Sequence, residues 1–262
     1  MKVGLEAPPR PGVLVDPRIR QRRVEVRRTE GRHRLRVLLA LLGTTALLAA
    51  GRGVTRSPLV DVDRVVVDGG AHTGVTAIRV ASGLERGRPM VDVDEQASAR
   101  RVAELPWVLS ATARREWPST VRIHVTERTL VAVTSDDAGG WAAVDVAGRV
   151  LERSSAAPAD VPVLEGTPAA GAPGTRLAPG AGGALLVASA LGPHLGPRVA
   201  AVVAVDGGVE LRLRPGGVVT LGLLDALEAK LVAVTTVLSS VDPRTVASLD
   251  VRLPSSPVLT RR

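Results

Sequence analysis

The chain has 262 residues, enough for a tail and two modest domains of roughly 100 residues each. It contains no Phe, Tyr or Cys, so any core is built from Val, Leu, Ala and Ile around Trp107, Trp117 and Trp141, and disulfides and thiolate chemistry are excluded. The formal net charge of +8 is concentrated: residues 1–36 hold eleven Lys or Arg against four acids, while the other 226 residues hold 23 basic and 22 acidic side chains, which argues against a nucleic-acid groove in the globular part.

Residues 1–36 include Pro8, Pro9, Pro11 and Pro17 with few apolar side chains, and are expected to form a disordered basic tail. From Val37 to Gly51 the sequence reads VLLALLGTTALLAAG, without a charge. Fifteen residues rise only about 22 Å as a helix, against a hydrocarbon core of about 30 Å. Extension to Leu35 and Val54 reaches the full thickness, with Arg36 and Arg52 snorkelling toward the headgroups. The predicted transmembrane helix is therefore 37–54, placing Val37, Leu38, Leu39, Leu41, Leu42, Leu47 and Leu48 in lipid. The basic excess before it keeps the N-terminus cytoplasmic and puts the remainder outside.

Other readings of this segment exist. Ala49-Ala50-Gly51 is a passable signal-peptidase site, but a thirty-six-residue basic region before the apolar stretch is unusually long for a signal peptide. Arg22-Arg23 and Arg27-Arg28 do not adjoin the apolar run as a twin-arginine signal would. A helix buried in a soluble protein, lying near its surface, would show a polar face, and this one has none.

Between 60 and 129 the pattern is strand, helix, helix, strand, strand. Val62 to Asp68 is a predicted strand ended by Gly69-Gly70. Thr73 is placed to cap a helix carrying Val75, Ile78 and Ala81, which Gly83 closes. Asp94 precedes a second helix with Ala99, Val102 and Leu105 on one face, stopped at Pro106. Val108, Ala111 and Ala113 open a strand, Trp117-Pro118-Ser119 turns it, and Val121, Ile123 and Val125 alternate with Arg122, His124 and Thr126. One sheet with two helices on one face is the economical arrangement. Trp107 and Trp117 are both expected in the core, and Glu127 and Arg128, at a strand end, are expected to pair across the sheet.

These residues carry a resemblance. Pro106-Trp107-Val108, Arg114, Trp117-Pro118-Ser119-Thr120-Val121 and Ile123-His124-Val125-Thr126-Glu127-Arg128 resemble the POTRA domain of the bacterial FtsQ (DivIB) cell-division family. The likeness begins at Val62-Asp63-Arg64 and continues through Asp145, Gly148, Val150 and Leu151. Thr129-Leu130 stands where the family usually has a Pro soon after the Glu-Arg pair.

The second domain, 130–262, starts loosely. Val161-Pro162-Val163-Leu164-Glu165-Gly166 precedes AAGAPGTRLAPGAGG, a predicted loop without the GK[ST] of a phosphate cradle. Ala184 to Leu191 is a short helix. Val199 to Asp206 and Val209 to Leu213 are strands joined by Gly207-Gly208, and Val218 to Gly222 is another. Leu223, Leu227, Leu231, Val234 and Leu238 mark a long helix. Leu249 to Leu253 alternates apolar and charged and ends at Pro254, the pattern of an edge strand. This domain is similar to the β domain of the same family.

The expected fold class is α+β: a disordered tail, one transmembrane helix, a POTRA domain of two helices on a three-stranded sheet, and a mixed β domain with helices packed on its sheet. The resemblance implies a non-catalytic single-pass scaffold of the division septum in the cell membrane, with no cofactor, no small-molecule substrate and no nucleic acid. It implies partners of the FtsB and FtsL type at the last strands, and other septal proteins at the POTRA domain. Strand addition would place the contact at Asp250, Val251, Arg252, Leu253, Ser255, Ser256 and Val258, with Leu259 beyond. A POTRA-bearing protein of envelope assembly or secretion, and a secreted binding module after signal cleavage, are the alternatives.

Nothing points to an enzyme. His33, His72, His124 and His194 are scattered, without a partner at metal-ligand spacing. Asp61-Val62-Asp63 and Asp92-Val93-Asp94 lack the Gly and distal Glu of a calcium loop, and no GxSxG or SxxK occurs.

Overall fold

The computed structural model describes residues 17–55 and 60–262, in two compact units, 1–60 and 61–262. In the first unit α1 (Pro17–Thr55) is one helix of 39 residues. Its stretch Arg34–Gly53 is long and apolar enough to cross a membrane, close to the predicted 37–54. Thr44 and Thr45 donate their hydroxyls back to Ala40 and Leu41 C=O at 2.8 Å, which hides both polar groups in this apolar stretch. The helix starts earlier than expected, so residues 17–36 of the tail read as disordered have helical backbone. A proline is well suited to the first helical turn, and the Arg, Gln and Glu after Pro17 are good helix formers. Residues 1–16 of that tail lie outside the described residues.

The second unit opens with β1 (Arg64–Asp68), α2 (Val75–Ser82), α3 (Glu95–Ala103), β2 (Val108–Glu116) and β3 (Thr120–Glu127). The strands lie in the order β1-β3-β2, with β1 parallel and β2 antiparallel to β3. Ile78 of α2 and Val102 of α3 meet Val108, Ala113, Ile123 and Val125, so both helices cover one face, as the periodicity predicts. Asp94 accepts the Ala97 N–H at 2.9 Å and Gly83 closes α2 in the left-handed region, both as expected. Thr73 does not cap α2. Gly74 holds that position at φ 81°, and the Thr73 hydroxyl turns to Glu127. Val62 lies before β1, bonded to Arg88 C=O and buried with Met90, Val93 and Val121 in a small separate core. Trp117 is not a core residue: it sits at the β2–β3 turn, outside both strands, with 54% of its surface exposed.

The remaining elements are β4 (Leu130–Ser135), β5 (Trp141–Asp145), β6 (Val150–Ser154), β7 (Val163–Glu165), α4 (Gly182–Ala190), α5 (Gly192–Leu195), β8 (Val199–Val205), β9 (Gly208–Leu213), β10 (Val218–Gly222), α6 (Leu227–Ser240), β11 (Val246–Asp250) and β12 (Val258–Arg261). They build a nine-stranded sheet in the order β12-β11-β10-β9-β8-β7-β4-β5-β6. The helices α4, α5 and α6 pack on one face, where Val187, Leu195, Leu231, Val234 and Leu238 meet Val202, Leu211, Val219, Leu221 and Leu249. Side chains alternate along β4, β5 and β6, so Val133, Ala143 and Leu151 form a cluster on the opposite face.

The Gly/Ala/Pro-rich stretch is largely a loop, yet it is fixed. Ala170 is buried and bonds to Ser135 C=O, Thr175 C=O accepts from Val150, and Leu177 N–H donates to Gly148 C=O. Leu223 falls outside α6 and is exposed, since Gly222 (φ 67°) and Ala226 (φ 49°) turn the chain before the helix begins. The buried Lys230 ammonium ties this turn down by donating to Leu223 C=O at 2.7 Å and Asp225 at 2.8 Å.

The β8–β9 turn falls on Asp206-Gly207, one residue earlier than the expected Gly207-Gly208, and Gly208 opens β9 with φ 151°, where a Cβ would lie 1.9 Å from Gly222 C=O. Gly208→Ala is therefore expected to lower stability by about 2 kcal/mol or more, read from the urea midpoint.

Candidate partner-binding edge and the joint behind it

The final segment differs from the expected single edge strand. β11 ends at Asp250 and is an interior strand, parallel to β10 and antiparallel to β12. The true edge is β12, which pairs Val258 with Asp250, Leu259 with Leu249 and Thr260 with Ser248. Arg262 N–H bonds to Thr245 C=O at 2.9 Å. Thr260 and Val258 share its parity and face β11, so Leu259 and Arg261 direct their N–H and C=O groups outward. Among the described residues no backbone pairs with that outer side. At the other end of the sheet, Gly174 and Thr175 bond to both backbone groups of Val150 and so occupy the start of β6.

The residues assigned to the edge from sequence separate into three groups. Val251 is fully buried and faces the core. Asp250 and Arg252 satisfy each other, with Nε and Nη2 at 2.9 and 2.7 Å from Oδ2; this pairing and the Arg252 N–H hold the Asp250 carboxyl below its ordinary range. Leu253, Ser255, Ser256 and Val258 are exposed around the β11–β12 turn. Beside them lies a groove of about 730 Å³ between α6 and the turn, lined by Ala229, Val232, Ala233, Val237, Pro254 and Pro257 among others. The outward side of α6 carries one charge, Glu228, and Thr235 and Thr236 donate to their own i−4 carbonyls, leaving methyl groups outward. The sequence signal for this surface was the scarcity of charge along 227–240.

Behind the edge, the POTRA motif residues meet at the joint between the two domains. Pro106 turns the chain after α3, and Trp107, 8% exposed, packs with Val133, Ala143 and Leu151 of the β domain. Its indole N–H donates to Glu152 at 3.2 Å, and its ring stacks on His72 with centroids 4.4 Å apart. Val108 is buried beside it, while Arg114 and Pro118 are exposed and make no part of the joint. Glu127 and Arg128 do not pair across the sheet as expected. Glu127 accepts from the Thr73 hydroxyl and N–H, both at 2.7 Å, and from His72 at 3.1 Å, which fixes the turn before α2. Arg128 crosses to the β domain, donating to Asp145 at 2.6 Å and to Val108 C=O at 3.1 Å. Their positions at the very end of β3, two residues before β4, were the available clue. Among the described residues no group of His, Cys, Asp or Glu could hold a metal ion.

The Arg128 and Asp145 side chains are 17% and 3% exposed. Arg128→Ala leaves the Asp145 carboxylate buried without its cation, and is expected to cost about 3–5 kcal/mol in chemical denaturation. Burial alone would raise the Glu127 carboxyl, but the bonds from Thr73 and His72 outweigh it and bring it from 4.5 to about 2. A depressed carboxyl stabilises the fold above its unfolded value and loses that contribution as pH falls toward 2. Glu127→Gln should remove up to about 3 kcal/mol at neutral pH and flatten the stability profile between roughly pH 5 and 2.

Comparison with known proteins agrees with this architecture. The POTRA domain, FtsQ-type, matches residues 60–128. Cell division protein FtsQ of Salinibacter ruber is 37% identical over 141 residues, covering 53% of this chain and 54% of that protein. FtsQ of Mycolicibacterium smegmatis is 32% identical over 199 residues, 75% of this chain and 57% of its own length. FtsQ of Anaeromyxobacter sp. (strain K) is 30% identical over 246 residues, 85% of this chain and 80% of that protein. The chain spans about half the length of several curated relatives, such as those of Salinibacter ruber and Corynebacterium glutamicum. With a relative of this identity aligned over four fifths of its length, with the POTRA match and with the two-domain fold above, the chain belongs to the FtsQ family of cell division proteins.

Proposed function

We propose that this protein is a non-catalytic, single-pass scaffold of the division septum, anchored by α1 with its N-terminus in the cytoplasm and its two globular domains outside. The basic excess before Arg34–Gly53 supports that orientation. The observation that carries the reading is the open β12 edge beside an α6 whose outward side carries a single charge, Glu228, in a member of this family. An unpaired edge offers backbone hydrogen bonds to an added strand, and the adjoining apolar groove suits the side of a helix. A partner of the FtsB type, accompanied by an FtsL type, would add a strand along Leu259 and Arg261 and cover Leu253, Val258 and Val232. Other septal membrane proteins would meet the POTRA domain.

Arg261→Pro deletes one outward N–H without touching the β11 ladder, a substitution that edge strands tolerate. It is expected to reduce co-purification of the FtsB-type partner at least tenfold while leaving the melting temperature within 2 °C, by roughly the tolerance of a surface change. Val80→Ser, at a POTRA side chain 77% exposed, should leave capture unchanged. Cells depleted of the protein should fail to divide, and a tagged copy should gather at the septum. Normal division with an even distribution over the envelope would overturn the proposal.

A further inference from the structure

Domains in one chain usually move against each other unless the surface between them is large or strongly apolar. The POTRA and β domains meet through few residues, but those residues come from three different POTRA elements. At the end of α3, Glu104 C=O accepts from Arg149 at 3.0 Å. At the corner before β2, Trp107 fills the cluster of Val133, Ala143 and Leu151 and donates to Glu152. At the end of β3, Arg128 bonds Asp145, and its own N–H bonds Trp107 C=O at 2.8 Å. Only Arg128 and Thr129 separate β3 from β4.

The joint also reaches back into the POTRA domain. His72 stacks on the Trp107 ring, and Glu127 holds His72 and Thr73, so the turn before α2 is fastened to the same point. Asp145 is satisfied on its other oxygen by the N–H groups of Ala147 and Arg149 at 2.9 and 2.8 Å, which fixes the β5–β6 turn that receives Arg128.

We infer that Trp107, Glu127 and Arg128 splice the two domains into one rigid body, so that displacement of the POTRA domain carries the β12 edge with it. Trp107 and Arg128 are positioning residues in this scheme, acting on the edge through the sheet that joins them to it. The inference rests on the scaffold reading for its purpose, but not for its measurement.

The chain has no cysteine, so two can be introduced cleanly. Spin labels at Leu109→Cys in the POTRA domain and Val205→Cys in the β domain, both exposed sites, report the distance between the domains in the full chain in lipid nanodiscs. A single narrow distance distribution is expected. Trp107→Ala and Arg128→Lys should each broaden it at least twofold, while hydrogen exchange at the buried Ile123 and Leu211 amides stays slow, showing both domains folded. Trp107→Phe keeps a ring against His72 but loses the Glu152 bond, and should give an intermediate width. Should Trp107→Ala unfold the chain, Trp107→Phe and Glu152→Leu, each of which removes the indole–carboxylate bond, supply the same comparison. A broad distribution in the parent, or widths unchanged in the folded variants, would overturn the inference. A narrow distribution with no partner capture would count against the scaffold reading alone, and a broad one with normal capture against the splice alone.

Discussion

The Arg128–Asp145 pair is the constraint on which the relation of the two domains depends. An ion pair this buried loses most of its hydration, and mutual attraction repays that loss only if every remaining donor and acceptor finds a partner. Here Asp145 takes two further N–H groups at the β5–β6 turn, and Arg128 gives its Nε to Val108 C=O. The pair therefore selects one orientation rather than simply adding stability. Any rotation at the two-residue passage from β3 to β4 would strand a charge and pull Trp107 from its cluster.

The sheet that begins at this joint manages its two edges differently. The start of β6 is occupied by the backbone of Gly174 and Thr175, so a Gly- and Pro-rich loop serves as a partial cover. The β12 edge is left open, but it is only four residues long and ends at Arg261, with Arg262 directly after it, and a bulge between Val246 and Ser248 disturbs its neighbour. Short length, positive charge and a bulge are the usual means by which an edge avoids pairing with its own copies. An edge that excludes self-association yet stays uncovered is suited to a foreign strand.

Much of this was legible in the sequence, because the signals were local. Asp94 as a cap, Gly83 in the left-handed region, a glycine hairpin between β8 and β9 (its turn one residue earlier than read, at Asp206-Gly207) and the four-residue spacing of Leu227 and Leu231 all depend on neighbours in the chain. The misreadings concern facts set at a distance. Thr73 has the chemistry of a cap, but Glu127, 54 residues away, recruits it. Leu223 keeps the helical spacing, but the Gly222 and Ala226 turn and the buried Lys230 hold it out. Alternation at Asp250-Val251-Arg252 reads as a strand end, whereas Asp250 and Arg252 are drawn together at the start of a turn. Whether β11 was an edge depended on five residues beyond Pro257 whose β pattern is too short to register. The strands β4, β5 and β6 gave no clear pattern because both faces of β4 and β5 are buried, which erases alternation.

The scarcity of aromatic residues explains why so much depends on one side chain. A core of Val, Leu and Ala fills the interior of each domain well, since many small groups can be placed on facing helices and strands. A joint between domains has few positions, so each must bury more surface. A tryptophan removes on the order of 200 Å² from water, about 5 kcal/mol at 25 cal/mol per Å² before costs, roughly twice what a valine can supply. Of the three tryptophans in the chain, Trp107 and Trp141 both contribute to the cluster at the joint, and only Trp117 stands at an exposed turn. Placing the large rings where contact positions are fewest lets a chain without Phe or Tyr hold two domains together, and the indole N–H adds the directionality that an aliphatic cluster lacks.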